Sequence, residues 1–200
     1  METSRCSHAD VRGLEQIPLL YDGFMAVADR VGLWKLRAWL TSGAAGRVLE
    51  IGCGTGRNLP RYSGGTRVFG ADPSLDALRR AARRAPAAIL VCASAEALPF
   101  RRGSFDTIVS SLVLCSVSSP SAALTELRRA LADTGSLRML EHVRSEERWR
   151  ARWQDFIQPL WTRVTGGCHP NRDTEMSVRG SGFRIDERRA NRNFRRLVAR

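Results

Sequence analysis

Three glycines at alternate positions, Gly52, Gly54 and Gly56, directly follow a short apolar run over residues 48–51. An apolar run of this kind is typical of a buried parallel strand. Glycine lacks a Cβ and adopts positive φ, so a ligand can lie against the backbone of such a turn. A short helix is predicted from Asn58, and the N–H groups at its start would suit a carboxylate or another anion. The residue types and their spacing therefore predict a nucleotide-binding corner made of a strand, a glycine turn and a helix.

The spacing of these glycines argues against two common nucleotide sites. A dinucleotide fingerprint reads G-x-G-x-x-G, and its third glycine would fall at Arg57. A P-loop requires Gly-Lys followed by Ser or Thr, and that sequence does not follow here. A NAD-type oxidoreductase is therefore disfavoured.

The run E-I-G-C-G-T-G over residues 50–56 closely resembles motif I of the class I S-adenosylmethionine (SAM) dependent methyltransferases. The resemblance implies a Rossmann-like, doubly wound α/β sheet of seven strands, mostly parallel with an antiparallel last strand, and with helices on both faces. The alternation of predicted strands and helices independently indicates a doubly wound parallel sheet. We expect an N-terminal helical cap over residues 1–40 and a SAM-binding region over residues 41–200, together forming a single domain.

The resemblance implies that SAM, and its product S-adenosylhomocysteine, bind at the ends of successive strands. Asp72 ends the predicted second strand and is placed to accept hydrogen bonds from both ribose hydroxyls; Ser74 is expected to cap the next helix, which leaves Asp72 for the ligand. Ser94 stands where relatives have an aspartate that accepts from the adenine amino group, and Glu96 is a candidate to compensate. The backbone N–H of Ala95 is expected to serve an adenine ring nitrogen. The expected cofactor-binding residues are Glu50, Gly52, Cys53, Gly54, Thr55, Gly56, Asn58, Asp72, Pro73, Ser74, Ser94, Ala95, Glu96 and Ser111.

Two residues are candidates for the catalytic step. The run over residues 105–115 resembles motif IV of the same family, and E-H-V-R-S over residues 141–145 resembles an ending seen in small methyltransferases that act on lipids, quinones or thiols. Methyl transfer is an in-line attack on a sulfonium methyl group, and a base is needed only where the nucleophile arrives protonated. His142, at the carboxyl end of a predicted strand, is a candidate base or a hydrogen-bonded structural histidine. Tyr21 is the second candidate, because similar methyltransferases have an N-terminal tyrosine that covers the cofactor cleft.

The segment G-G-C-H-P-N-R-D-T over residues 166–174 narrows the resemblance to bacterial relatives of the methyltransferase-like thiol S-methyltransferases, and of quinone and phospholipid methyltransferases. We therefore predict methyl transfer from SAM to a small-molecule or lipid-like acceptor, which is a thiol, hydroxyl, amine or quinol precursor. Two alternatives stay open: a catalytically silent SAM-binding partner protein and an RNA methyltransferase. No RNA-binding module is visible, so a nucleic-acid partner is not expected. No metal is expected either, because Cys168 and His169 supply only two ligands. Cys115 is expected to line the pocket.

The chain carries a net charge of +12, which indicates either an anionic partner or an arginine-rich composition without a binding role. A helix is predicted over residues 150–164, with Trp153, Phe156, Ile157, Leu160 and Trp161 on one face. The densest group of arginines is Arg144, Arg148, Arg150, Arg152 and Arg163. Since these arginines are candidates to touch an anionic headgroup, peripheral membrane contact is left open.

The cellular location is predicted from what the sequence contains. No apolar run approaches the ~20 residues of a membrane span, and residues 1–10 lack the apolar region of a signal peptide. The five cysteines are widely spaced and include no C-x-x-C, which suits a reducing compartment. We expect a cytoplasmic monomer or homodimer that is not an integral membrane protein.

Overall fold

The structure, a computed structural model, describes residues 18–165, 167–191 and 194–200. Its strands are β1 (Arg47–Ile51), β2 (Arg67–Asp72), β3 (Ile89–Cys92), β4 (Phe105–Ser111), β5 (Leu131–His142), β6 (Ile185–Asn191) and β7 (Phe194–Ala199). They form one sheet in the order β3-β2-β1-β4-β5-β7-β6. The first five strands are parallel, and β7 runs antiparallel to both β5 and β6. The predicted seven-stranded, mostly parallel sheet with an antiparallel last strand is confirmed.

The helices are α1 (Pro18–Ala28), α2 (Trp34–Ser42), α3 (Leu75–Arg84), α4 (Pro120–Ala130), α5 (Arg148–Thr165) and α6 (Thr174–Gly180). A wide turn at residues 29–33 separates α1 from α2, and Gly32 within it has a φ of 121°. The positive φ of Gly32 accounts for the break between the two helices. The short helix expected from Asn58 is a single 3-10 turn, Leu59–Arg61. No helix in the described part of the chain is both long and apolar enough to cross a bilayer.

Two hydrophobic cores cover the two faces of the sheet. Successive strand side chains point to opposite faces, so Leu49 joins one core with α4 and α6, whereas Val48 joins the other with α1, α2 and α3. Ile108 and Val109 divide in the same way on β4. The helices before β1 therefore share a core with the sheet.

A buried arginine fixes α2 to the sheet. The Arg138 guanidinium on β5 donates to the carbonyl oxygens of Leu40 at 2.9 Å and Trp39 at 2.8 Å. It also lies over the Trp39 ring, 4.8 Å from the ring centroid. A cation suits this position because the last carbonyls of a helix carry partial negative charge. Arg138 thereby sets where α2 ends against the strands.

A buried carboxyl group on β1 holds the glycine turn. Glu50 Oε1 accepts a hydrogen bond from Asn58 Nδ2 at 2.7 Å, and Oε2 accepts one from the Tyr62 hydroxyl at 2.8 Å. Asn58 Oδ1 in turn accepts from Arg37 at 2.9 Å. Burial raises the pKa of Glu50 to about 7, although Tyr62, Asn58 and Arg37 all favour its ionised form. The sequence predicts that Glu50 and Asn58 contact the ligand; in the structure their buried side chains bind protein partners and thereby position the turn.

Substitution of Gly56 tests the close packing of the turn. Gly56 has a φ of +77°, and a Cβ there would lie 2.9 Å from the backbone of Ala81 in α3. We expect Gly56→Ala to lower the free energy of unfolding by about 2 to 4 kcal/mol, from left-handed strain and overpacking together. Urea denaturation measures the change. Gly64→Ala is the matched control, because a Cβ there meets nothing within 4 Å; equal losses for the two variants would contradict this packing.

The Glu50 carboxyl should make stability depend on pH. Its folded-state pKa rises from 4.5 to about 7, so the stabilisation is complete below about 4.5 and is lost as pH rises through 7. From pH 5 to pH 8 we expect the free energy of unfolding of the wild-type protein to fall by about 2 to 3 kcal/mol relative to that of Glu50→Gln, whose amide does not titrate. Urea denaturation at both pH values measures it, with the exposed Glu147→Gln as control. If the free energies of unfolding of the variant and the wild type changed equally between the two pH values, the raised pKa of Glu50 would be contradicted.

Candidate active site

The glycine turn has the backbone that its sequence predicts. Gly52, Gly54 and Gly56 have φ values of 53°, 54° and 77°, a region that side chains with a Cβ disfavour. A Cβ on Gly52 would lie 2.5 Å from a methyl group of Val113, so the turn after β4 packs directly against it. The Cys53 thiol is buried beside Gly70 of β2, so Cys53 offers a ligand only its backbone.

Asp72 lies at the end of β2, next to the glycine turn. Its Oδ2 accepts from the Gly54 N–H at 2.8 Å and its Oδ1 from the Ser74 N–H at 2.9 Å. Only 8% of the residue is exposed, and burial raises its pKa against the two backbone donors, which lower it. Ser74 caps α3 by accepting from the Ala77 N–H, as its sequence predicts. Because Ser74 caps α3, Asp72 is not needed as a capping residue. Pro73, which lies between the two residues, is exposed.

The loop after β3 contains Ser94, Ala95 and Glu96. The Ser94 hydroxyl donates to Glu96 Oε2 at 3.1 Å, and Glu96 Oε1 accepts from the Ser119 N–H at 2.5 Å. Ala95 is buried in the core. Glu96 therefore ties this loop to the start of α4, and the Ser94 hydroxyl already has a carboxylate partner.

A second buried carboxyl group organises the turn after β4. Glu141 Oε1 accepts from the Ser110 hydroxyl at 2.5 Å and from the Val113 N–H at 3.3 Å, while Oε2 accepts from the Leu114 N–H at 3.1 Å. Burial raises the pKa of Glu141 to about 7. Leu112 in this turn has a φ of 60°, which is rare outside glycine and marks a backbone held by its surroundings. The sequence places Glu141 in the run E-H-V-R-S but does not reveal that its side chain holds the turn after β4.

Ser111 presents an unsatisfied polar atom at this edge. Its Oγ is buried and has no hydrogen-bond partner among the described residues. Buried hydroxyl groups in proteins are nearly always hydrogen-bonded. A polar ligand atom at the carboxyl end of β4 would satisfy it, in agreement with the expected place of Ser111 in the site.

His142 and two cysteines form a cluster at the end of β5. The His142 ring stacks on Phe194, with 5.5 Å between the centroids. The neighbouring Cys115 and His142 hold the pKa of Cys168 well below its usual value, although burial opposes them. The Cys168 thiol and burial raise the pKa of Cys115. The sequence alone does not predict that Cys115 and Cys168 are neighbours, because they are distant along the chain.

The loop that bears Cys168 is fixed to the turn after β4. The His169 N–H donates to the Cys115 carbonyl at 2.8 Å, and Arg172 Nη1 donates to the carbonyls of Leu114 at 2.8 Å and Val117 at 2.6 Å. Within the described ranges, no three His, Cys, Asp or Glu side chains are grouped to hold a metal ion.

Ion pairs hold the N-terminal helices over the glycine turn. Asp29 pairs with Arg37 at 3.0 Å and with Arg57 at 2.5 Å. Asp22 Oδ1 accepts from the Thr55 hydroxyl at 2.7 Å, and Asp22 Oδ2 pairs with Arg84 at 3.2 Å. Thr55 is thus occupied by the helices above it. The sequence reading missed this network, since charged residues in helices usually face solvent.

The expected site residues that the structure describes fall into two groups. Tyr21 belongs to α1, but its side chain lies outside the described part of the chain. Buried supports of the loops are Glu50, Cys53, Thr55, Asn58 and Ala95, and half-buried Glu96 joins the loop after β3 to the start of α4. Residues at the carboxyl edge of the sheet with backbone or polar atoms to offer are Gly52, Gly54, Gly56, Asp72, Pro73, Ser74, Ser94, Ser111 and His142.

Comparisons with known proteins give the family of this chain. A profile of the methyltransferase domain matches residues 49–139. The Homo sapiens thiol S-methyltransferase TMT1B is 36% identical over 152 residues, which are 71% of this chain and 62% of that protein. The Homo sapiens thiol S-methyltransferase TMT1A is 28% identical over 178 residues, which are 85% of this chain and 73% of that protein. The chain thus spans less than two thirds of the length of TMT1B.

The fold has relatives among solved structures. A SAM-dependent methyltransferase from Thermotoga maritima matches with a TM-score of 0.71 at 21% identity, covering 93% of this chain and 96% of that one. At this identity the match shows a shared fold. The chain belongs to the class I SAM-dependent methyltransferases.

Proposed function

We propose that this protein transfers the methyl group of SAM to the sulfur atom of a small, lipid-like thiol. The observation that carries the proposal is the row of groups along one edge of the sheet. These groups lie at or just after the carboxyl ends of β3, β2, β1, β4 and β5, which is the order of the strands in the sheet; they are Ser94, Asp72, the glycine turn, Ser111 and His142. Open α/β sheets bind ligands at this edge. The names of the human relatives support a thiol as the acceptor.

The cofactor half of the row runs from β3 to β4. Asp72 would accept hydrogen bonds from the ribose, because each of its oxygens holds one backbone donor and has room for another. The bare backbone of the glycine turn would hold the amino-acid end, and the Ser111 hydroxyl would gain a partner there. Ser94 would face the adenine with its hydroxyl shared with Glu96. These features fit SAM, which supplies an electrophilic methyl group when bound.

The acceptor half is formed by β5 and the loop that contains Cys168. A thiol acceptor is mostly protonated at neutral pH, since an ordinary thiol has a pKa of about 8.5. His142 is half-buried, with Phe194 against its ring, and would take the thiol proton as the sulfur attacks. The helices above the glycine turn would exclude water, and Tyr21 belongs to the same segment.

Replacement of Asp72 tests the cofactor half. Hydrogen bonds to charged groups contribute about 1.5 to 3 kcal/mol each, so we expect Asp72→Asn to bind S-adenosylhomocysteine about 10- to 100-fold more weakly. Isothermal titration calorimetry measures the affinity, and circular dichroism checks the fold. Asp76→Asn is the matched control, because it makes the same charge change at an exposed residue of α3 that pairs with Arg79. Equal affinities for the two variants would remove Asp72 from the site.

Replacement of His142 tests the acceptor half. We expect His142→Ala to retain its affinity for S-adenosylhomocysteine within about twofold and to lose about 100-fold or more in kcat with an alkyl thiol at pH 7. The loss should shrink at pH 9.5, where the thiol ionises without help. Transfer of a tritiated methyl group to alkyl thiols, phenols and amines of equal chain length measures the rates and the preferred atom.

Three outcomes would contradict the proposal or one of its parts. A loss that is equal at both pH values would make His142 a structural residue, and His169→Ala, which alters the neighbouring histidine, controls for damage to the loop. Binding of SAM without transfer to any acceptor would favour a catalytically silent partner protein. Salt-sensitive binding to RNA would favour an RNA methyltransferase.

A further inference from the structure

Helix α5 exposes its large apolar side chains to solvent. We call five of them the aromatic stripe; they are Trp149, Trp153, Phe156, Leu160 and Val164, with exposures of 66%, 58%, 77%, 69% and 45%. Their spacing of three or four residues places them on one face of the helix. From first to last they extend about 22 Å along its axis. An amphipathic helix of a globular protein usually turns such a face toward the core.

The opposite face of α5 is the one packed against the protein, and it is partly polar. Ala151, Gln154 and Thr165 are buried there. Gln154 Nε2 donates to the carbonyls of Val143 at 3.1 Å and Pro170 at 3.0 Å, and its Oε1 accepts from the Ser145 N–H at 2.7 Å. Gln154 thus fixes the rotation of the helix, and the aromatic stripe must face outward.

One flank of the stripe carries uncompensated positive charge. Arg148, Arg152 and Arg163 lie beside the stripe and form no ion pair with any residue that the structure describes. The nearby acids are already neutralised, because Glu147 pairs with Arg150 and Asp155 with Arg144. The face therefore combines exposed aromatic rings with free guanidinium groups.

We propose that α5 docks peripherally on an anionic phospholipid bilayer, with its axis in the plane of the interface. Tryptophan favours the headgroup region, where its ring is buried in acyl chains and its N–H stays near water. Apolar side chains on one face with arginines beside them are the pattern of a helix that lies in the interface. The arginines would contact lipid phosphates and acidic headgroups, whose negative charge complements theirs.

The charges argue against a second copy of this chain as the occupant. A two-fold dimer would pair the face with itself, which would bring the free arginines of both copies together without acidic partners. Like charges facing each other across an interface oppose association. A bilayer of anionic lipid meets the same face with the opposite charge.

Docking through α5 would also orient the acceptor half of the site. The helix begins six residues after His142, and Gln154 joins it to Val143, next to His142, and to Pro170 in the loop that contains Cys168. A lipid-like thiol dissolved in the bilayer would reach this end of the sheet directly. This last step rests on the proposed function, whereas the docking does not.

Vesicle sedimentation with the full chain tests the docking. We expect at least tenfold tighter binding to vesicles of 70% phosphatidylcholine and 30% phosphatidylserine than to pure phosphatidylcholine. Trp153→Ser/Phe156→Ser should weaken binding at least tenfold. Val31→Ser/Trp34→Ser is the matched control, because it removes exposed apolar side chains from another surface, and it should bind as wild type does. Arg148→Glu/Arg152→Glu/Arg163→Glu should abolish the preference for anionic vesicles.

The result is separable from the methyltransferase proposal. The α5 variants should keep wild-type affinity for S-adenosylhomocysteine and wild-type turnover of a water-soluble thiol without vesicles, since neither the stripe nor the arginines beside it belong to the site. Absence of binding to anionic vesicles would overturn the docking. So would a dimer, measured by analytical ultracentrifugation, that Trp153→Ser/Phe156→Ser dissociates.

Discussion

The hydrogen bonds of Glu50 are the constraint on which the site depends. A glycine turn is flexible by composition, and glycine loses more backbone freedom on folding than any other residue. Here the carboxyl group at the end of β1 holds Asn58 and Tyr62 on the far side of the turn, and Asn58 links it to Arg37 of α2. Burial of an acid is unfavourable unless it is hydrogen-bonded or protonated, and Glu50 meets both conditions near neutral pH. Glu141 repeats the arrangement at the end of β5 and fixes the turn after β4. Two buried acids thus fix the turns after β1 and β4 at the carboxyl edge of the sheet.

The parts that sequence predicts well are those set by local chemistry. The positive φ of the glycines follows from their spacing after an apolar strand, and the Ser74 and Ser119 caps follow from residue type. The seven-stranded, mostly parallel sheet follows from the family resemblance, and the alternation of strands and helices independently indicates a doubly wound arrangement. The place of Asp72 at the end of β2 follows from the apolar residues that precede it.

The parts that sequence misses depend on contacts between distant segments. In the sequence, Arg57 is only evidence against a dinucleotide fingerprint. In the structure it forms ion pairs with Asp22 and Asp29. Glu50 matched a motif position and was assigned to the ligand, because a motif does not reveal which way a side chain points. The apolar face of α5 was recognised from its period, but periodicity cannot distinguish a face that packs on the core from one that faces solvent. The structure shows that this face is exposed, because the buried Gln154 turns the opposite face of α5 toward the protein.

His142, Cys115 and Cys168 meet at the end of β5 although they come from three separate parts of the chain. Cys115 and His142 hold the pKa of Cys168 well below its usual value against the effect of burial, whereas Cys168 and burial raise the pKa of Cys115. Of the two thiols, Cys168 is therefore the more acidic. The backbone hydrogen bond from the His169 N–H to the Cys115 carbonyl fixes the loop that bears Cys168 against the turn that bears Cys115. The environment of His142 is thus set by two cysteines that lie outside any recognised motif, because only the folded chain brings the three residues together.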